Sequence, residues 1–128
     1  MGTTPTGIHH IAMNVREIDR SVMFYQQAFG FTRIRSWNEG KAAMLDMGDG
    51  TILELFERPD AAGKAGSLLH IALRADDVDA AYEHALASGA GEETKPKDVD
   101  LQAESSYPIR IAFVKGPDGE SIELFHER

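Results

Sequence analysis

The chain has 128 residues, of which 42% are hydrophobic and 27% charged, an ordinary composition for one globular domain that argues against wholesale disorder. The absence of cysteine excludes disulfides, thiolate metal sites and a cysteine nucleophile. A formal net charge of -8 argues against nucleic acid as a partner, because the chain would repel a phosphate backbone.

The first half of the chain predicts one helix among four strands. Short runs rich in branched and aromatic residues predict the strands, which span 8–15, 31–37, 41–47 and 51–57. Apolar residues recur at helical spacing over 19–29, with Asp19 as the expected N-cap and Gly30 as the stop. Glycine-containing turns at 38–40 and 48–50 separate the later strands.

The second half predicts the same order of elements after a polar, Gly/Ala-rich linker at 59–67. Strands are expected at 68–74 and 120–126, and a helix at 77–88 ends at Gly89. A turn at 116–119 precedes the last strand. The segment 92–107 is charged and has no clear period, so we expect mostly loop there, with room for a strand near its start.

Three blocks of sequence recur in the same order in the two halves. HIAM at 10–13 returns as HIAL at 70–73, and each copy is followed by a predicted helix that ends at a glycine. GDG before ILELFE in the first half corresponds to PDG before SIELF in the second. The fold class is therefore α+β, with one domain over 1–128 that contains two βαβββ modules, about 7–58 and 68–126. Each module is too small to be stable alone, so the two must share a core, within this chain or with a second copy.

The repeat places the same two polar residues at matching positions. His10 and His70 lie in the first strand of each module, and Glu54 and Glu123 lie in the last strand. Strand alternation puts each glutamate on the face opposite its apolar neighbours, where a carboxylate needs a partner or a metal ion. Two imidazoles and two carboxylates suit a divalent transition metal, and an octahedral ion would keep two positions for water or substrate.

The other three histidines are interpreted as non-ligands. His9 is expected to point to the strand face opposite His10. His84 falls within a predicted helix and His126 lies near the end of the chain, so both are expected at the surface.

The chain resembles the vicinal oxygen chelate superfamily, which includes glyoxalase I, epimerases, extradiol dioxygenases and bleomycin-binding proteins. The resemblance rests on residues 8–31 (IHHIAMNVREIDRSVMFYQQAFGF), 69–78 (LHIALRADDV) and 113–124 (FVKGPDGESIEL). It implies curved mixed sheets around a metal cleft, and its ligand set is most similar to that of bacterial glyoxalase I (lactoylglutathione lyase).

The resemblance implies a lyase or isomerase that chelates vicinal substrate oxygens and moves a proton through an enediolate. Glu123 matches the family's usual proton shuttle, and Glu54 is the other candidate for this catalytic role. The metal would be Ni, Co, Zn, Mn or Fe, with Ni or Zn favoured. Glyoxalase I enzymes commonly carry an arginine in place of Asn14 and an asparagine in place of Arg58, and both usually help to hold glutathione.

Further residues are candidates for binding substrate. Cationic candidates for an anionic substrate are Arg35, Arg74, Arg110 and Lys115, although each could equally be a solvated strand-edge charge. Aromatic candidates for an apolar pocket are Trp37, Phe56, Tyr107 and Phe113, although most strand aromatics belong to a core.

Alternative readings stay open for the activity and the assembly. The chain could be another enzyme of the superfamily, an epimerase or an extradiol-type dioxygenase, or a non-catalytic binding or resistance protein. We expect a small-molecule substrate and a homodimer, whose site lies within one chain or combines His10 and Glu54 of one copy with His70 and Glu123 of the other. Since no apolar run reaches the ~20 residues that cross a bilayer, we expect a cytoplasmic protein without a membrane partner.

Overall fold

The computed structural model describes residues 8–64, 66, 68–102 and 105–128, so the first residue of the predicted first module and parts of the segments 59–67 and 92–107 lie outside it. It contains two four-stranded mixed sheets and two helices, which confirms the predicted α+β fold class. The first sheet has the order β1-β4-β3-β2 and is formed by β1 (His10–Val15), β2 (Thr32–Trp37), β3 (Ala42–Asp46) and β4 (Ile52–Glu57). The second has the order β5-β8-β7-β6 and is formed by β5 (Ile71–Arg74), β6 (Gly91–Asp100), β7 (Pro108–Lys115) and β8 (Ser121–Glu127). In each sheet the first and last strands of the half are parallel neighbours, and the other pairs are antiparallel.

Helices α1 (Ile18–Phe29) and α2 (Val78–Ala87) follow the first strand of their halves. Among the described residues, no helix is long and apolar enough to cross a membrane. Helix α1 is followed by Gly30 in a left-handed conformation (φ 72°), as predicted for a glycine stop. The backbone N–H of Gly30 donates to the carbonyl of Gln26 at 3.0 Å, and that of Phe31 donates to the carbonyl of Tyr25 at 3.3 Å.

The start of α1 differs from the prediction that Asp19 is the N-cap. The capping position is Glu17, whose side chain makes no capping hydrogen bond, and Asp19 lies inside the first turn. The backbone N–H of Ile18 instead donates to a carboxylate oxygen of Glu57 at 3.0 Å. The cap is therefore supplied by the end of β4, and local sequence could not identify it.

One hydrophobic core joins the two halves, as the small size of each half requires. Val15, Leu53 and Leu55 from the first sheet belong to the same buried cluster as Ala112 and Leu124 from the second. The cluster also contains side chains from both helices, so the helices lie in the core shared by the two sheets. These helix residues are Ile18, Val22, Tyr25, Ala28, Val78, Tyr82 and Ala85. We call the opposite side of each sheet its open face.

Polar contacts also connect α1 to the turn before β8. The buried Asp118 accepts hydrogen bonds from the backbone N–H and the guanidinium of Arg16 at 3.2 and 3.0 Å. The buried hydroxyl of Tyr25 donates to Glu120 at 2.8 Å. These contacts fix the end of β1 and the start of β8 relative to each other.

The segment 92–107 begins with a strand, as the prediction allowed, but β6 extends to Asp100, so the prediction that the segment is mostly loop was wrong. Its pairing with β7 shifts register twice, between Glu92 and Thr94 and again between Thr94 and Lys97. These bulges erase the period-two pattern, and an edge strand needs little apolar surface. The strand is therefore formed by tertiary pairing and not by a pattern visible in its own sequence.

Candidate metal centre

Both glutamates predicted as ligands lie on the open faces and are nevertheless buried. Leu53 and Leu55 in β4 point into the core, so alternation turns Glu54 to the open face, and Glu123 follows the same rule between Ile122 and Leu124. The exposed fraction of each glutamate is only 8%. A carboxylate that loses this much water needs a polar or cationic partner to remain ionised.

Each glutamate has a histidine from the neighbouring parallel strand as its partner. His10 Nε2 lies 3.7 Å from Glu54 Oε1, and His70 Nε2 lies 3.0 Å from Glu123 Oε1. The register is the same in both halves, because Ala12 pairs with Glu54 and Ala72 pairs with Glu123, and each histidine lies two residues earlier on the same face. The sequence repeat is therefore also a repeat of side-chain geometry.

The rings of the two histidines have different neighbours. The His70 ring meets Phe113 edge-on at 5.2 Å between centroids, whereas the His10 ring meets His9 edge-on at the same distance. Nδ1 of His9 lies 3.0 Å from Nδ1 of His10, so the prediction that His9 points away from His10 was wrong. Strand alternation does not govern His9, because β1 begins only at His10.

The other two histidines make contacts with backbone carbonyls. The exposed His84 reaches the carbonyl of Gln27 at the end of α1, at 2.8 Å. His126 is half-buried, which differs from the predicted surface position, and its Nδ1 lies 3.1 Å from the carbonyl of Ala75.

A single chain brings the four predicted ligands together only as two pairs. Within the described ranges of the chain, no group of three or more His, Asp or Glu side chains is close enough to hold a metal ion. Each pair offers one imidazole nitrogen and one carboxylate, which is half of the predicted donor set.

A cleft of about 540 Å³ opens between β1 and β5, the edge strands of the two sheets. Its walls include Met13 and Asn14 on one side and His70 and Ile71 on the other. Glu120 and Ser121, where β8 begins, also line it. His70 of the second-half pair therefore borders a cavity large enough for a small molecule, whereas Glu123 is not among its lining residues.

Comparison with known proteins decides the family. Residues 7–124 match the model of the Glyoxalase/Bleomycin resistance protein/Dioxygenase superfamily. The chain belongs to this superfamily. Relatives include a protein of Vibrio cholerae named "Probable lactoylglutathione lyase" (32% identical, covering 94% of this chain and 91% of the relative) and a "Lactoylglutathione lyase" of Haemophilus influenzae (28%, covering 94% and 93%). A crystal structure of a superfamily protein from Alicyclobacillus acidocaldarius has the same fold, with a TM-score of 0.72, 18% identity, and coverage of 98% of this chain and 94% of that one.

In this superfamily member, the open face of the first sheet carries an aromatic and cationic patch beside Glu54. The guanidinium of Arg58 stacks over the Phe56 ring, 4.7 Å from its centroid, and donates to the side-chain oxygen of Asn14 at 3.4 Å. Trp37 meets the Phe56 ring edge-on at 6.1 Å. Asn14 and Arg58, the two departures from the glyoxalase I pattern, are therefore neighbours.

The register places the remaining cationic candidates. Arg35 is opposite Met44, which is opposite Glu54, so Arg35 shares the open face with the first-half pair. Arg74 and Lys115 lie on the open face of the second sheet by the same alternation. Arg110 instead lies on the helix side, where it binds Asp79 and Asp98 at 2.6 and 3.0 Å. The charge-assisted hydrogen bond from Arg110 to Asp79 lowers the pKa of Asp79.

The remaining aromatic candidates lie near the second-half pair. Phe113 contacts His70, and Tyr107 lies 6.4 Å from Phe125. Phe125 pairs in register with Arg74, as Phe56 pairs with Asn14, but sequence reasoning did not select it. The repeat itself carried this signal, since Phe56 and Phe125 both lie two residues after the glutamate.

Proposed function

We propose that this protein is a metal-dependent lyase or isomerase of the glyoxalase I type. We further propose that it acts as a homodimer in which His10 and Glu54 of one copy and His70 and Glu123 of the other hold one divalent cation. The main support is the pair of His–Glu contacts at the same register, one in each half. Relatives named lactoylglutathione lyase, at about 30% identity over nearly the whole chain, support the same reaction class.

The donor set fits a divalent transition metal. Both pairs combine an imidazole nitrogen with a carboxylate that is shielded from bulk water, and neither contains sulfur. Nickel or zinc is the favoured ion, with cobalt, manganese or iron as alternatives. When bound, the cation would supply Lewis-acid stabilisation of the negative charge that develops on a substrate carbonyl oxygen.

The separation of the two pairs supports a dimer. Within the described residues of one chain no third ligand approaches either pair, so a second chain would be the source of the remaining donors. Two copies with twofold symmetry would place the first half of each against the second half of the other, which would give two equivalent sites.

Glu123 is the proposed proton carrier. Its carboxylate is buried, and Phe113, its register partner in β7, lies edge-on against the ring of His70. It would accept the proton from the carbon beside the substrate carbonyl and return it to the neighbouring carbon, so that bonds shift within the substrate without oxidant or reductant. Glu54 occupies the corresponding position in the first half and is the alternative carrier.

The proposed role of Glu123 is tested by replacing it with an isosteric amide. Purified wild-type protein is loaded with nickel or zinc, and turnover of the methylglyoxal–thiol adduct is measured together with the metal content. Glu123→Gln is expected to reduce turnover at least ~100-fold, the scale of general acid–base catalysis, while the cation is retained. Exposed Glu39→Gln is the matched control and should behave as wild type. Full activity of Glu123→Gln would remove Glu123 from this role.

The shared site is tested by complementation between two inactive variants. One variant carries His10→Ala and Glu54→Gln, and the other carries His70→Ala and Glu123→Gln. In a site shared between chains, mixed dimers regain one intact site, and metal binding and turnover return on mixing. A site within one chain predicts no recovery, because every chain in the mixture then keeps a defect.

The aromatic and cationic patch beside Glu54 favours a second candidate, another enzyme of the superfamily with an anionic substrate other than a glutathione adduct. Arg58 stacks on Phe56 beside Asn14 and offers a planar cationic surface. This surface replaces the arginine at position 14 and the asparagine at position 58 that glyoxalase I enzymes commonly carry. Bound iron with catechol cleavage would support a dioxygenase. A protein that binds small molecules but no metal would support the non-catalytic alternative.

A further inference from the structure

His9 makes a side-chain contact that the proposed reaction does not yet use. Its Nδ1 lies 3.0 Å from Nδ1 of His10, and its backbone carbonyl accepts the N–H of Ile52 at 3.0 Å. The backbone of His9 is therefore tied to β4, the strand that carries Glu54. Two ring nitrogens at this distance share a hydrogen bond only if one carries a proton and the other accepts it.

The two ring nitrogens of His10 face different groups. Nε2 is 3.7 Å from Glu54, beyond the ~2.7–3.2 Å of an N–H···O hydrogen bond, and Nδ1 is 3.0 Å from Nδ1 of His9. The hydrogen bond between the two histidines can form with either one as donor, but only the form in which His10 donates leaves its Nε2 lone pair free on the side that faces Glu54. A cation bound through Nε2 therefore requires His9 to act as the acceptor.

His70 provides an internal comparison. Its Nε2 is 3.0 Å from Glu123, and the aromatic ring beside it is Phe113, which offers no ring nitrogen. No neighbour comparable to His9 therefore acts on the His70 ring. His70 serves as the control histidine in the same protein.

We infer that His9 is a positioning residue for His10, which it holds in the tautomer and ring orientation that can bind a divalent cation through Nε2. This inference rests on the proposed function, since it assigns His10 as a metal ligand. Groups that hydrogen-bond to the free nitrogen of a ligating histidine commonly fix its ring and raise its affinity for metal. His9 does so without touching the cation itself.

The experiment compares two substitutions that separate hydrogen bonding from packing. His9→Phe keeps an aromatic ring beside His10 but removes the acceptor, whereas His9→Asn places an amide oxygen near the position of Nδ1. Histidine tautomers are read by ¹⁵N NMR in the metal-free full-length protein at alkaline pH, where imidazoles are neutral. Affinity for zinc is then measured by competition with a chelator.

We expect His10 to carry its proton on Nδ1 in the wild type and in His9→Asn, and to shift toward Nε2 in His9→Phe, while the signals of His70 stay unchanged. Zinc affinity should fall about 10-fold to 100-fold in His9→Phe and recover in His9→Asn. The same tautomer of His10 in wild type and His9→Phe would overturn the inference, as would equal zinc affinities. A wild-type protein that binds no divalent cation would contradict the proposed function, whereas the tautomers in metal-free protein would still decide whether His9 fixes His10.

Discussion

The two halves of the molecule present the same pair of side chains in differently built surroundings. In the second half, Nε2 of His70 is 3.0 Å from Glu123 and the His70 ring meets Phe113 edge-on, whereas in the first half His10 is 3.7 Å from Glu54 and contacts His9. The backbone registers agree, so the difference arises from neighbouring side chains. A duplicated scaffold thus conserves where a group is placed but leaves its immediate contacts free to diverge.

The helices show a second difference between the halves. Each has a buried tyrosine that donates its hydroxyl to a glutamate at 2.8 Å, but Tyr25 in α1 reaches Glu120 in the other half, whereas Tyr82 in α2 reaches Glu92 in its own half. Together with the contact between Arg16, just before α1, and Asp118, the contact of Tyr25 adds a polar link between the halves to their shared apolar core.

The largest expected effect tests whether the halves share one core. Leu55→Ala and Leu124→Ala remove equivalent leucines that are 0% and 2% exposed, and each should lower the free energy of unfolding by about 2–5 kcal/mol. Because both residues belong to one cluster, denaturant unfolding followed by circular dichroism and by Trp37 fluorescence should show one coincident transition in each variant. Two separate transitions would contradict a common core. Met23→Ala, at an exposed position of α1, is the control and should change little.

The next effect tests the asymmetry of the tyrosines. Tyr25→Phe removes the hydrogen bond to the Glu120 carboxylate and should lower the free energy of unfolding by about 1.5–3 kcal/mol at neutral pH. Tyr82→Phe is the matched control, whose contact lies within one half, and should reduce stability less. If urea unfolding shows equal losses of unfolding free energy in the two variants, the contact between the halves stabilises the protein no more than the contact within one half.

A smaller effect should appear only at alkaline pH. Burial and, to a lesser extent, the charge of Glu120 raise the pKa of Tyr25 well above its usual value. The unfolded chain loses the tyrosine proton from about pH 10 while the folded protein retains it, so stability is complete below that pH and decreases as the pH rises above it. In Tyr25→Phe this part of the decrease should be missing from unfolding curves recorded between neutral pH and pH 11.

The smallest expected effect concerns a contact confined to the second half. Arg110 joins Asp79 at the start of α2 to Asp98 in β6, and all three side chains are partly exposed. Arg110→Lys should lower the melting temperature slightly at low salt, and high salt should erase the difference, since surface ion pairs are screened. A large decrease in melting temperature that persists in high salt would contradict this expectation. It would mean that the Arg110 contact stabilises the protein by more than a screened surface ion pair.

Much of the fold and part of the candidate site could be predicted from particular residues. The helix stop at Gly30 and the placement of Glu54 and Glu123 on the open faces depend on local conformational preference and strand alternation, which a sequence displays directly. The capping of α1 could not be predicted, because the N–H of Ile18 donates to Glu57, which is 39 residues away in the sequence. Nor could β6, whose bulges hide its period.

The sequence by itself determined the duplicated order of elements and the four matched His and Glu positions, because repetition and periodicity are properties of the linear chain. Only the tertiary structure decided that these residues meet as two pairs, that His9 turns toward His10, and that Tyr25 reaches across to Glu120. Those contacts depend on strand register, strand ends and the packing of distant segments, where differences of about an ångström separate a hydrogen bond from a mere neighbour.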